Sequence, residues 1–233
     1  MNEWTLHWLE AEGDLQPWRD QISAQIEETR RLVSQHVEPT RLDVLINRGS
    51  GGVIPEIGFG ARAYGRSLFR LHIDPDNPAV GRGLLDGTLQ RQVAHEVNHC
   101  MRMGGPGYGR TFGETLVSEG LAGHFVRRLF NNPPEPWERA VDKATLLARL
   151  PDAATLAQAQ WDHGRWFFGT KDGHNPRWLG YTLGYELVGA WIDARGAPDA
   201  DALVASPAEE IIAIGLPRLT TVLLEVQKLG SRL

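Results

Sequence analysis

The sequence predicts an α+β fold, with strands before about residue 80 and mainly helices after it, in two lobes sharing one cleft. Three observations lead there. Apolar residues alternate in several segments before about residue 80, and after it they recur at helical spacing. No interior stretch is polar and long enough to demand two independent domains. The chain has 233 residues, 42% of them hydrophobic, which is ample for a full core and excludes a disordered tail. The expected organisation is an N-terminal arm and helix over 1–40 and a single unit over 41–225. Within that unit the sheet falls at about 41–80, a pair of helices at about 84–130 and a helical subdomain at about 135–225.

Trp4 to Leu9 alternates as a short strand or docking arm, and Ile22, Ile26, Thr29, Leu32 and Val33 mark a helix from about Pro17 to His36. Pro39 closes it, and Arg41 to Asn47 reads as a strand with an apolar centre. Arg48 to Ser67 is glycine-rich but holds neither GKS/GKT nor a GxGxxG opening a helix, so it is no nucleotide loop. Turns around a strand such as Val53 to Phe59, or a strand edge open to a ligand backbone, account for it equally. Ser67 to Asp74 alternates as a half-buried strand. Helices follow at Leu84–Met103, Thr111–Phe130, Trp137–Leu150, Ala153–Phe168, Arg177–Arg195 and Leu216–Leu229, with a short helix or turn at EEIIAIG.

Composition narrows the function classes. Twenty-four Lys and Arg against 29 Asp and Glu give a net charge of -5, which provides no electrostatic drive toward nucleic acid or anionic lipid. The N-terminus lacks a basic start followed by an apolar run, and no stretch approaches a spanning helix, so a cytoplasmic location without membrane association is expected. The single Cys100 excludes a disulfide framework and any Cys-pair metal site.

His95-Glu96-Val97-Asn98-His99 is an HExxH inside a predicted helix. At i and i+4 the two imidazoles share one face, where both can reach one tetrahedral cation; Glu96 stands beside that face, where it can hold a water. Glu119, twenty residues on, lies on the next predicted helix beyond a glycine-containing loop, and can complete a His/His/Glu set with an open fourth position. Glu114 is the competing carboxylate, nearer the loop and off the face of Glu119. Gly120 and Gly123 cost helix propensity, about 1 kcal/mol each, and close approach to the His95 helix is the expected compensation.

HEVNHCMR followed by ETLVSEGLAGHF resembles the DUF2268 group of predicted zinc-dependent proteases, a gluzincin branch of the zincin-like peptidases; YTLGYELV is similar to a Tyr/Gly-containing helix near the end of those domains. The resemblance spans about residues 40–225 and implies a zincin-like α+β fold, a small twisted N-terminal sheet packed on an active-site helix with a mainly helical C-terminal subdomain, that hydrolyses peptide bonds with Zn2+. It carries His95, His99 and Glu119 over as ligands and Glu96 as general base. Gluzincins of the better-known bacterial pattern place an acidic residue four positions after the third ligand; Gly123 stands there, so a partner for His95 must come from elsewhere.

Hydrolysis also needs a donor to the developing oxyanion. Tyr185 is the first candidate and Tyr181 the second, with aromatic packing the competing role for both; His174 is a third donor in a solvated loop. His124 reads as a packed residue, and His72 as either a cleft-lining or a cross-strand residue. The expected partner is a peptide or protein substrate, extended along either Ser67–His72 or Val53–Phe59. The alternatives are a zinc hydrolase of a non-peptide substrate and an inactive zincin-like binding or regulatory domain.

Overall fold

The computed structural model describes residues 3–230 and divides the chain into two compact units, Met1–Gly105 and Pro106–Leu233. The α+β expectation holds: a small N-terminal sheet precedes a mainly helical region.

In the first unit four strands, β1 (Trp4–Leu9), β2 (Leu42–Arg48), β3 (Phe59–Gly65) and β4 (Leu68–Ile73), form one sheet in the order β1-β2-β4-β3. β1 pairs parallel with β2 and β2 parallel with β4, while β3 returns antiparallel to β4 through a two-residue turn at Arg66 and Ser67. The helix α1 (Arg19–Ser34) makes the crossover from β1 to β2, as a parallel pair requires. A short helix, α2 (Ala79–Gly83), precedes α3 (Thr88–Met103). α3 packs on β3, β4 and α1, and the fully buried Val44, Ile46, Phe69, Leu71, Val93 and Val97 belong to the core of this unit.

Two strand expectations are corrected. Val53–Phe59 is a loop closed by an isolated bridge between Ile54 and Phe59, and the strand begins only at Phe59. Gly60 is the reason for the tight closure: a Cβ there would lie 2.8 Å from Val53 Cα, backbone that cannot step aside. Ser67–His72 is interior to the sheet, paired on both sides, so it offers no free edge. The edges are β1 and β3.

The second unit is built on α4 (Phe112–Phe130), α5 (Lys143–Ala148), α6 (Ala153–Leu156), α7 (Leu179–Arg195), α8 (Ala200–Ala205) and α9 (Ala208–Gly230). α4 and α7 touch backbone to backbone. A Cβ on Gly120 would stand 2.5 Å from the carbonyl carbon of Gly184, and one on Gly184 would stand 3.2 Å from that of Leu116. Gly215 of α9 approaches Leu187 in the same way, its Cβ position 2.6 Å from the Leu187 carbonyl oxygen. Glycine's entropic cost in a helix is thus offset by helix packing. The nearest neighbours of Gly120 belong to α7, so the expected approach to the His95 helix is not what requires this glycine.

Several helices differ in extent from the sequence reading. Leu84–Met103 is interrupted, because Gly87 is left-handed (φ 81) and α3 starts only at Thr88. Ala153–Phe168 breaks into α6 and a π-helical turn, Gly164–Phe168, whose buried Phe167 meets Tyr181 edge-on at 4.8 Å. The two segments expected around Pro217 are one continuous helix, α9. Tryptophans serve this unit as packing residues: Trp161 and Trp166 enclose Phe112 at 5.2 and 4.4 Å, and Trp191 is buried. Among the described residues no helix is long and apolar enough to cross a membrane.

Candidate metal centre

α3 presents the HExxH. Its apolar residues Leu89, Val93, Val97 and Cys100 recur at helical spacing and are fully buried. His95 and His99, one turn apart, meet edge to face with ring centroids 4.6 Å apart. His99 and Glu96 are buried at 3% and 7% exposure. Cys100, beside His99, points its Sγ at the Leu68 carbonyl oxygen, 3.7 Å away. Burial first, and then the charge of Glu96, push its thiol up to about 12, so it is a packing residue and no thiolate ligand.

α4 presents Glu119. Thr111 and Glu114 form a capping box: the Glu114 N–H donates to Thr111 Oγ1 (3.2 Å) and the Thr111 N–H donates to Glu114 Oε2 (3.0 Å). The Arg110 N–H adds a bond to the same oxygen at 2.6 Å. These backbone donors hold the Glu114 carboxyl below its ordinary range. The competing carboxylate is therefore engaged as a cap, five residues before Glu119.

One ligand atom from each of His95, His99 and Glu119 lies within 4.8 Å of the others. Two imidazole nitrogens and a carboxylate oxygen are a donor set that can hold a divalent metal ion, so the chemistry of the residues present fits one.

Residues 80–213, more than half of the chain, match the family described as predicted Zn-dependent protease, DUF2268. The chain belongs to the DUF2268 family. Its gluzincin-like character rests on that match, and the matched span includes both helices of the His/His/Glu set. No curated protein and no solved structure matches the chain.

In this DUF2268 protein a carboxylate does stand over position 123. A Cβ on Gly123 would lie 2.9 Å from the Glu138 carboxyl carbon and 3.0 Å from the Tyr185 ring. Glu138 is buried at 5% exposure and comes from the 3-10 turn Pro136–Arg139. Sequence spacing could not find it, because residue 138 is far from 123 along the chain and only the fold superposes them.

The tyrosine candidates are placed as follows. Tyr185 stacks on His124 with centroids 4.0 Å apart, and its hydroxyl accepts from Arg127 Nη1 at 3.2 Å. The two rings line a cavity of about 600 Å³, together with Glu186, Asp193 and Arg218. Burial pushes the Tyr185 phenol up and the His124 imidazole down to about 4. His124 Nε2 lies 3.0 Å from the Tyr185 carbonyl oxygen, the packed role expected for it. Tyr181 meets Phe167, as above. His174 is exposed in its loop, where its carbonyl oxygen accepts from Arg149 Nε at 2.8 Å. His72 takes the cross-strand role: it pairs with Asn47 in the β2–β4 register, and its Nδ1 lies 3.4 Å from Asn47 Nδ2.

One residue at the centre was missed. Tyr108, in the loop read only as a helix stop, donates its hydroxyl to Glu119 Oε1. The available signal was a lone aromatic residue between two glycines in the sequence GPGYGR, immediately before the helix that carries the ligand.

Proposed function

We propose that this protein is a zinc-dependent metallopeptidase of gluzincin type that hydrolyses peptide bonds of a peptide or protein substrate. The observation that carries the reading is the His95/His99/Glu119 set, on a chain whose family is described as a predicted Zn-dependent protease. A bound zinc supplies Lewis acidity, both to the scissile carbonyl and to the water that attacks it. His95, His99 and Glu119 would hold it, their single carboxylate offsetting one of its two positive charges.

Glu96 is the residue for proton transfer. It adjoins His95 on α3, so its carboxylate accepts a proton from the attacking water and returns it to the amine nitrogen that leaves. Tyr185, and after it Tyr181, are the proposed neutral donors to the carbonyl oxygen as negative charge develops there. For Tyr185 this requires its hydroxyl to turn from Arg127. A substrate strand would add to β3, the edge nearer in the sheet order to β4, with Arg62 and Tyr64 exposed along it. A cytoplasmic place of action is part of the proposal.

A peptide-library cleavage assay with zinc-loaded protein tests it. The wild type cleaves, and Glu96→Gln loses turnover by about 10²-fold or more. Cleavage by Glu96→Gln at the wild-type rate would refute the assignment of the base.

A further inference from the structure

Glu119 has three side-chain torsions and two equivalent oxygens, so a bare carboxylate at this position reaches a metal in many orientations. The structure restricts it. The Tyr108 hydroxyl donates to Oε1, a charge-assisted bond of the stronger class. Tyr108 itself is held at both ends by consecutive residues of α4. Ser118 Oγ donates to the Tyr108 carbonyl oxygen, while the phenol reaches Glu119.

The loop path that puts Tyr108 there is also fixed. Gly107 (φ 97) and Gly109 (φ 126) both occupy the left-handed region that L side chains rarely adopt. A Cβ on Gly109 would stand 2.6 Å from Glu114 Cβ, so the chain enters the capping box with no room for a side chain. Two glycines, one serine and the cap thus serve to aim one phenol.

We infer that Tyr108 is a positioning residue for the third metal ligand: its hydroxyl, bound to Oε1, fixes the orientation in which the Glu119 carboxylate meets the metal. The inference rests on the zinc reading above and adds to it a residue outside the HExxH and its carboxylate. Partners that orient metal ligands are commonly worth 10–100-fold in affinity.

The test measures zinc affinity by chelator competition for the wild type, Tyr108→Phe and Ser118→Ala, alongside thermal melting of each metal-free protein. Tyr108→Phe should bind zinc about 10-fold or more weakly with an unchanged metal-free melting temperature, and Ser118→Ala should weaken it less. In the cobalt-substituted proteins the visible absorption bands of Tyr108→Phe should shift, reporting changed carboxylate geometry. Wild-type zinc affinity in Tyr108→Phe would overturn the inference while leaving the zinc reading intact. So would a loss matched by an equal drop in metal-free stability, since Tyr108 would then be merely structural. Absence of zinc binding by the wild type would instead overturn the zinc reading, and this inference with it.

Discussion

Gly120→Ala is expected to destabilise the protein although alanine is the better helix former. A Cβ at this position would lie 2.5 Å from the Gly184 carbonyl carbon and 2.7 Å from Val188 Cγ2. Carbon atoms in contact need about 3.5–4.0 Å, so the shortfall is about 1 Å. The first obstacle is backbone, and no rotamer change relieves it; α7 must move away from α4 along their contact. Propensity returns about 1 kcal/mol, whereas overpacking costs about 1–3 kcal/mol and more where backbone shifts. A net loss of about 2 kcal/mol is the expectation, equivalent to a melting temperature lower by about 4–8 °C in a chain of this size. Circular dichroism melts of wild type and variant read it directly. Gly123→Ala provides the comparison, because its obstacles are the Glu138 and Tyr185 side chains, which can yield, and its loss should be smaller. A Gly120→Ala variant as stable as the wild type, or more so, would refute the close-approach argument.

Three further outcomes follow from the buried groups and from the base. Folded His124 takes a proton only near pH 4, against 6.5 when unfolded, so above 6.5 neither state is charged there. As pH falls from 6.5 toward 4 only the unfolded chain gains that proton, and stability drops, by up to about 3 kcal/mol. Urea titrations of metal-free protein at neutral pH and at pH near 4.5 should therefore show a smaller acid loss for His124→Phe than for the wild type; equal losses would count against burial as the cause. Cys100, fully buried with its thiol pushed up to about 12, should resist alkylation at pH 8 in the native protein and react with one equivalent after denaturation; rapid native labelling would contradict its packing. Glu96→Gln should fold and melt as the wild type does while failing to cleave, and the joint loss of both would make Glu96 structural.

What could be read from the sequence was local. The i, i+4 histidines, the segment Thr111–Phe130 closed by prolines, the apolar centre of β2 and the alternation of β1 and β4 are patterns within a few residues, and they place α3, α4 and three of the four strands. Glu119 was preferred to Glu114 from helical phase, and the capping box explains physically why Glu114 is used elsewhere. What was not legible depends on which segments meet. Strand order decides whether Ser67–His72 is an edge, and nothing in its own alternation reports that β2 and β3 flank it. Gly120 signals a close approach, but its partner, Gly184, is defined only by the packing of α4 on α7. Tyr108 lay in a stretch whose glycines read as punctuation; their positive φ angles, which aim its phenol at Glu119, are conformational facts that composition does not carry. Residues 153–168 carry helical periodicity, yet the chain spends part of it on a π-helical turn that buries Phe167.

Metal analysis of four purified proteins tests the central claim most directly. The wild type and Glu96→Gln should each hold one equivalent of zinc, and His95→Ala and Glu119→Ala should hold none after the same loading and washing. A full equivalent retained by Glu119→Ala would contradict the His/His/Glu centre.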